Sequence, residues 1–393
     1  MSKTCPNHET NKTWPMVRLG DVCDEIKDRI QSSKIAVGEY VTTDNMVKDC
    51  GGIVPAGYVP SEVGLVEYHK GDVLIANIRP YLKKIWLADH NGGCSSDVVV
   101  FRSNTDGLSS EYLYSVLSQD AYFEYVMQKP RGTKMPRGDR DWMKEFRFPL
   151  PSLSVQREIV ARLERELAAV EKMKKGFEAL AETAKAEFKA ELKEVFEEIS
   201  RGGAKARRLG EIGRVITGTT PSKGNKSFYG GEWPFYKPAD LNQGHNTIGA
   251  GDSLTDVGWQ NARQLPVNSV LVTCIGATLG KTGIIRREGS CNQQINAIVC
   301  GEAALPEYVY YSILSPQFQS ILWLSSNSTT LPMVNKSTFE KFAIPLPSLS
   351  DQREVVSRLD ADKARVEKLE AKAREGVTVC VTIRKVILKE AFE

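Results

Sequence analysis

PLPSLSVQREIVARL at residues 149–163 and PLPSLSDQREVVSRL at residues 345–359 are the same segment written twice, 196 residues apart. The offset holds without a gap from Thr133 and Thr329 to Leu192-Lys193-Glu194-Val195-Phe196-Glu197, which matches Leu388-Lys389-Glu390-Ala391-Phe392-Glu393. Upstream, at slightly different offsets, Arg18-Leu19-Gly20-Asp21-Val22 recurs as Arg208-Leu209-Gly210-Glu211-Ile212, Val73-Leu74-Ile75 as Val270-Leu271-Val272, and Cys94 as Cys291. Between these anchors, residues 23–70 and 213–266 share little. Each half is therefore a constant frame carrying a variable insert. Two long repeats do not make a solenoid, which needs several short units.

The 393 residues are enough for two or three domains with cores of their own. With 26% charged and 41% apolar residues the composition is that of an ordinary globular protein, and the net charge of +3 permits a polyanionic partner without requiring one. No apolar run approaches the roughly 20 residues that span a bilayer. The start MSKTCPNHETNK has no apolar signal core, so the expected location is the cytoplasm. The eight cysteines form no CxxC pair, and His8, His69, His90 and His245 are scattered, so no zinc spacing is present. Cys94 and Cys291 are equivalent, but no duplicated histidine accompanies them as a nucleophile's base, which favours a structural role.

Each half reads as an α/β (α+β) module followed by a long helix. Strands are expected at Val73–Ile78, Ile85–Ala88 and Val98–Phe101, repeated at Val270–Ile275, Gly283–Arg286 and Asn296–Cys300. Helical spacing marks Glu111–Met127 and its counterpart Glu307–Leu324. The two PLPSLS segments punctuate the end of a domain, with Ser154 and Ser350 as expected helix N-caps. Domains are thus expected over 1–150 and 201–346, with helices over 151–200 and 347–393. The first helix carries apolar residues at Ile159, Leu163, Leu167, Val170, Met173, Phe177, Leu180, Ala184, Phe188 and Leu192, a narrow seam of coiled-coil type. The second repeats it at Val355, Leu359, Val366, Leu369 and Ala373, but Lys363 stands where the first copy has Leu167, and Gly376 and the β-branched run after it weaken its middle. The narrowness of the first seam favours pairing of the two helices over separate packing.

Gly276-Ala277-Thr278-Leu279-Gly280-Lys281-Thr282 looks like a phosphate-binding loop, but it has three residues between its glycines where that motif needs four. Its duplicate, Arg79-Pro80-Tyr81-Leu82-Lys83-Lys84, has no glycine, so neither is a nucleotide cradle. Both still display hydroxyl and lysine groups after a strand, a pattern that suits nucleic-acid phosphate, although a loop lysine is usually just solvated. Further candidates are Lys134 and Arg137 in the segment Arg131–Arg137, with Asn335 and Lys336 in its partner Thr329–Lys336. The segment Gly218–Lys226 adds Lys223 and Lys226, and Trp233–Lys237 adds Tyr236 and Lys237. Each alone reads as a polar surface turn. Together, and in part repeated, they point to DNA.

The duplicated PLPSLSxQRE element and its heptad helix, with GDVLIANI, GATLGKTG and WPFYKPADL, resemble the specificity subunit of type I restriction and modification systems over the whole chain. The glycine-free loop Arg79–Lys84 departs from the second copy. The resemblance implies two tandem target recognition domains held apart by an antiparallel coiled coil of the two long helices. A pseudo-twofold relation between the domains follows from it. The implied function is to bind a bipartite double-stranded DNA sequence, one half-site per domain, and to carry two modification (methyltransferase) subunits and, through them, restriction (translocase and nuclease) subunits. No cofactor is expected on this chain; S-adenosylmethionine, ATP and Mg are expected on the partner subunits.

The rival reading is a DNA methyltransferase or nuclease with its catalytic residues hidden in a variable insert. Asp72, Asp97 and Asp240 are available, but none is joined to a second carboxylate and a lysine in both halves. A third reading is a bivalent scaffold that binds proteins rather than DNA.

Overall fold

The computed structural model describes residues 14–326 and 331–392. Cys5, His8, Thr329, Thr330 and Glu393 lie outside the described residues. The chain forms two compact units, and neither is continuous in sequence. The first comprises residues up to Gly176 together with Glu375–Glu393; the second is Phe177–Arg374.

In the first unit Cys23–Glu25, Val98–Ser103, Val73–Ala76 and Ile85–Leu87 lie side by side in that order, each pair antiparallel. Side chains alternate between faces along a strand, and both faces of this sheet are covered. Val73, Ile75, Val99 and Phe101 pack with the helices of the frame. Leu74, Ala76, Val98 and Val100 pack under a second sheet, Arg29–Gln31, Gly64–Tyr68, Gly92–Cys94 and Tyr40–Val41, built largely by the insert. Burial on both faces is why VLIA is continuously apolar.

The second unit repeats the frame with Gly213–Thr217, Ile295–Cys300, Val270–Thr273 and Thr282–Ile284 in the same order. Its insert builds a different, three-stranded sheet: Asp252–Leu254, Tyr229–Tyr236 and Ser290–Cys291. Cys94 and Cys291 sit in equivalent short strands, each in a parallel pair, and both are fully buried. Burial pushes the Cys94 thiol up to about 12 and the Cys291 thiol higher still, so both stay protonated core residues.

The expected strands are present within three residues at every end, but the expected frame helices are each broken in two. Ser110–Leu117 is followed by Asp120–Val126, and Pro306–Leu314 by Pro316–Leu324. Pro316 has no N–H to continue the ladder, and Ser315 restarts the helix by accepting from Phe318 N at 3.3 Å. In the first unit Gln119 takes an extended backbone at the same place.

The long helices run over Leu153–Arg201 and Leu349–Glu390. At 1.5 Å per residue the first is about 74 Å long. Their flanking residues are Ser152 and Ser348 rather than Ser154 and Ser350, which lie inside the first turn; Ser348 Oγ accepts from Asp351 N at 3.3 Å. Gly376 and the β-branched run after it do not interrupt the second helix. Ala373 and Cys380 on either side are buried, and burial outweighs propensity.

The repeated glutamine of the opening motif explains why the motif is kept. Gln156 accepts from Ser109 N at 2.9 Å and donates to the Gly107 and Pro151 carbonyls; Gln352 accepts from Leu305 N at 2.9 Å and donates to those of Ala303 and Pro347. Both are fully buried. Each ties the start of a long helix to the loop before a frame helix.

Each unit contains parts of both long helices. In the first, Leu388 and Ala391 join Ile159 and Leu163 in the core. In the second, Leu192, Val195 and Phe196 join Leu359. Lys185 there meets Glu370 at 3.7 Å, and Arg358 pairs with Glu191. Lys363, which interrupts the seam, is taken up by the insert and a frame helix: its Nζ lies 2.7 Å from His245 Nδ1 and donates to Tyr310 Oη at 3.4 Å.

Candidate nucleic-acid interface

In both units the loop after the central frame strand is joined by backbone bonds to the segment that follows the second of the two frame helices. In the first, Arg79 N donates to Pro136 O at 2.7 Å, Gly138 N donates to Asn77 O at 3.0 Å, and Ile78 bridges Arg137. In the second, Gly276 N donates to Pro332 O at 2.9 Å, Val334 N donates to Cys274 O at 2.9 Å, and Ile275 bridges Met333. One end of each unit therefore presents the same pair of loops.

The glycine-free loop has the backbone of its glycine-bearing counterpart. Arg79 and Lys83 have φ of 51° each, where Gly276 and Gly280 have 98° and 86°. A left-handed conformation costs a residue with a Cβ roughly 1–2 kcal/mol. A Cβ on Gly280 would stand 2.1 Å from Gln319 Oε1.

The candidates fall into three groups. Lys134, Lys223 and Lys226 are exposed and Lys281 half-buried, and none of the four has a side-chain partner among the described residues. Arg79, Tyr81 and Thr278 are also exposed on these loops, and Arg137 is exposed while meeting Asp97 at 3.4 Å. A second group is committed internally. Lys83 Nζ binds Asp120 at 2.5 Å, Lys84 Nζ donates to Thr43 O at 2.5 Å, Lys237 pairs with Asp252, and Lys336 meets Glu340 at 3.2 Å. Asn335 caps the short helix Lys336–Phe339 by accepting from Thr338 N. Tyr236 must be withdrawn as a contact residue, because it is fully buried with its hydroxyl donating to Arg287 O.

The first unit's face also holds a polar cleft of about 360 Å³ lined by Glu25, Lys27, Asn77, Arg131, Arg137 and Arg140, among others. Glu25 is nearly buried between Arg140 at 2.8 Å and Lys144 at 3.1 Å. Burial raises its carboxyl, but the bonds from Lys144 and Arg140 outweigh this and hold it below the usual range. Of this cleft, sequence reasoning reached only the segment Arg131–Arg137, and it missed Asn292, Gln293 and Gln294 in the second unit. The available signal was the anchor cysteine: Cys94 is followed by Ser-Ser-Asp and Cys291 by Asn-Gln-Gln, divergent polar triplets at a constant strand end.

The acidic residues weighed for catalysis hold the structure together. Asp72 is buried in a bidentate pair with Arg102, both bonds 2.7 Å. Asp97 faces Arg137, and Asp240 accepts from the backbone amides of Lys237 and Gly251. Among the described residues no group of three His, Cys, Asp or Glu could hold a metal ion, and no helix is long and apolar enough to cross a membrane.

Comparison with known proteins gives a consistent result. The family model for the type I restriction modification DNA specificity domain matches residues 11–177 and again 202–377. The chain is 34% identical over 206 residues to the type I restriction enzyme HindI specificity subunit of Haemophilus influenzae, a match covering 50% of this chain and 44% of the relative. It is 25% identical over 244 residues to the EcoR124I/EcoR124II specificity subunit of Escherichia coli, covering 56% and 57%. The matched part of the chain thus spans about half the length of these curated relatives. Among solved structures, one on complex assembly and conformational transition of the type I R-M system matches 98% of this chain and 99% of its own, with a TM-score of 0.80 and 25% identity. The HsdS subunit from Thermoanaerobacter tengcongensis matches 96% of each chain with a TM-score of 0.55 and 25% identity.

Proposed function

Because this chain belongs to the family of the type I restriction modification DNA specificity domain, present in it twice, we propose that it is the sequence-reading subunit of a type I restriction–modification complex. Each unit reads one half of a bipartite double-stranded DNA target. The observation that carries this reading is the repeated pair of stitched loops, Arg79–Pro136 in one unit and Gly276–Pro332 in the other, on which different side chains are displayed. A constant frame with divergent polar tips suits two half-sites of different sequence. Unpaired lysines beside those tips supply the phosphate contacts that position a reader.

In this proposal the long helices pair as an antiparallel coiled coil that sets the unread gap, and the units are related by a pseudo-twofold axis, as dimers are on palindromic sites. The descending order of the ion pairs Lys185–Glu370 and Glu191–Arg358 supports the antiparallel sense. The chain is non-catalytic, binds no cofactor, and docks two modification subunits and, through them, restriction subunits. Methyl transfer with S-adenosylmethionine and ATP- and Mg-dependent translocation and cleavage belong to those partners.

The test is to produce the full chain with its modification subunits and map the methylated sequence. Two short half-sites with a fixed gap are expected. A single uninterrupted motif, or methyl transfer by the chain alone, overturns the proposal.

A further inference from the structure

In the second unit two loops from distant parts of the sequence lock together at the candidate DNA face. Gly218 lies so close to the turn after Cys291 that a Cβ on it would stand 2.1 Å from Asn292 O. Thr219 N donates to Cys291 O at 3.0 Å. The hydroxyl of Thr220 then donates to Oε1 of Gln293, whose side chain is exposed. Behind it, Gln294 is part-buried and held: its Oε1 accepts from Asn292 Nδ2 at 2.8 Å, and its backbone carbonyl accepts from Cys274 N at 2.7 Å. That last bond ties the turn to the strand leading into Gly276–Lys281, where Thr273 N donates to Lys281 O at 2.8 Å, so Gln293 and Lys281 both border the end of one strand; Lys281 has no side-chain partner among the described residues, and Lys223 follows in the Thr220 loop.

We propose that Gln293 reads an adenine through its major-groove edge, in the half-site of the second unit; this rests on the DNA-reading function proposed above. The chemistry is complementary. The Thr220 hydroxyl occupies one lone pair of Oε1 and so fixes the amide's orientation, and among the described residues the second lone pair and both Nε2 hydrogens have no partner. Adenine offers N6–H as donor and N7 as acceptor on that edge, and glutamine meets the two as a bidentate pair. Phosphate offers only acceptors, which the flanking lysines serve better. The first unit has Ser95, Ser96 and Asp97 at the equivalent turn, with Asp97 held by Arg137, so it presents no such amide there.

The test measures binding of the full chain with its modification subunits to duplexes carrying the recognised sequence, each base varied in turn, at two salt concentrations. Wild type should demand adenine at one position of the half-site governed by residues 201–346. Gln293→Ala should weaken binding to the adenine-bearing duplex roughly tenfold or more, flatten preference at that position alone, and leave the other half-site intact, which also shows that the protein is folded. Gln293→Glu, an acceptor only, should move the preference toward cytosine, whose N4 donates. Unchanged preferences in Gln293→Ala, equal weakening on every duplex, or loss of all binding each overturn the assignment. A wild-type complex that discriminates among no duplexes overturns the DNA-reading function, and the assignment with it.

Discussion

Tyr112 and Phe392 meet edge to face with ring centroids 5.5 Å apart, although 280 residues separate them in the chain. Tyr308 and Phe196 make the same contact at 5.6 Å in the other unit. Each tyrosine also donates to the proline that opens the helix motif, Tyr112 to Pro149 O at 2.7 Å and Tyr308 to Pro345 O at 2.6 Å. The far end of a long helix thus closes the core of each unit. Phe196→Ala should destabilise the protein by about 3–5 kcal/mol, the usual cost of emptying a buried aromatic site. Phe392→Ala should cost less, because Phe392 is only partly buried. Chemical unfolding of the full chain checks both, and equal costs would contradict this ordering.

Lys281 and Lys83 should respond oppositely to truncation. Lys281 has no side-chain partner among the described residues, so Lys281→Ala should weaken DNA binding on every sequence and reduce the salt dependence by about one unit of slope. Lys83 is engaged with Asp120, so Lys83→Ala should leave the slope unchanged and cost about 1 kcal/mol or less of stability. Affinity measured across a salt series separates the two. A base-selective effect of Lys281→Ala would mean that it contacts a base instead.

His245 should make the second unit acid-sensitive. Burial first, and the nearby Lys363 ammonium second, hold its imidazole below the ordinary value of 6.5. The folded form therefore disfavours the proton that the unfolded chain accepts near 6.5. Stability contributed in this way is complete above that value and declines as pH falls below it, toward the lowered folded value. Unfolding midpoints measured from about pH 7.5 to about pH 5.5 should fall for wild type and fall less for His245→Asn. The same decline in both proteins would assign the sensitivity to other groups.

If the two long helices form the spacer, adding a heptad to each, after Met173 and after Leu369, keeps the apolar repeat in register. Each insertion lengthens its helix by about 10 Å, and DNA advances about 3.4 Å per base pair. The methylated motif of an active variant should gain a gap of up to about three base pairs with unchanged half-sites. Altered half-sites with an unchanged gap would refute the spacer role.

Much of the architecture was legible because it is written twice. The apolar runs at Val73 and Val270 are strands because both faces of the frame sheet are covered, and a heptad seam identifies a long helix without any knowledge of its neighbours. The breaks at Gln119 and Pro316 were legible only in part, since apolar spacing continues across them. Contact residues were least legible. A lysine looks the same in sequence whether it lacks a partner among the described residues, as Lys281 does, or is held by an acid, as Lys83 is.

By itself the sequence determined the duplication, the constant frame with its variable inserts, the long helices and, through the opening motif, the family. Those features rest on local periodicity and on repetition, both of which survive in one dimension. Only the tertiary structure decided that Gln156 and Gln352 are buried three-bond fasteners, that Arg79 adopts the backbone of Gly276, and that Tyr236 is core. It also decided that each unit is completed by a helix end encoded in the other repeat. The reason is physical: hydrogen-bond satisfaction, burial and the space for a Cβ depend on which distant residues arrive at a site, and no local pattern records them.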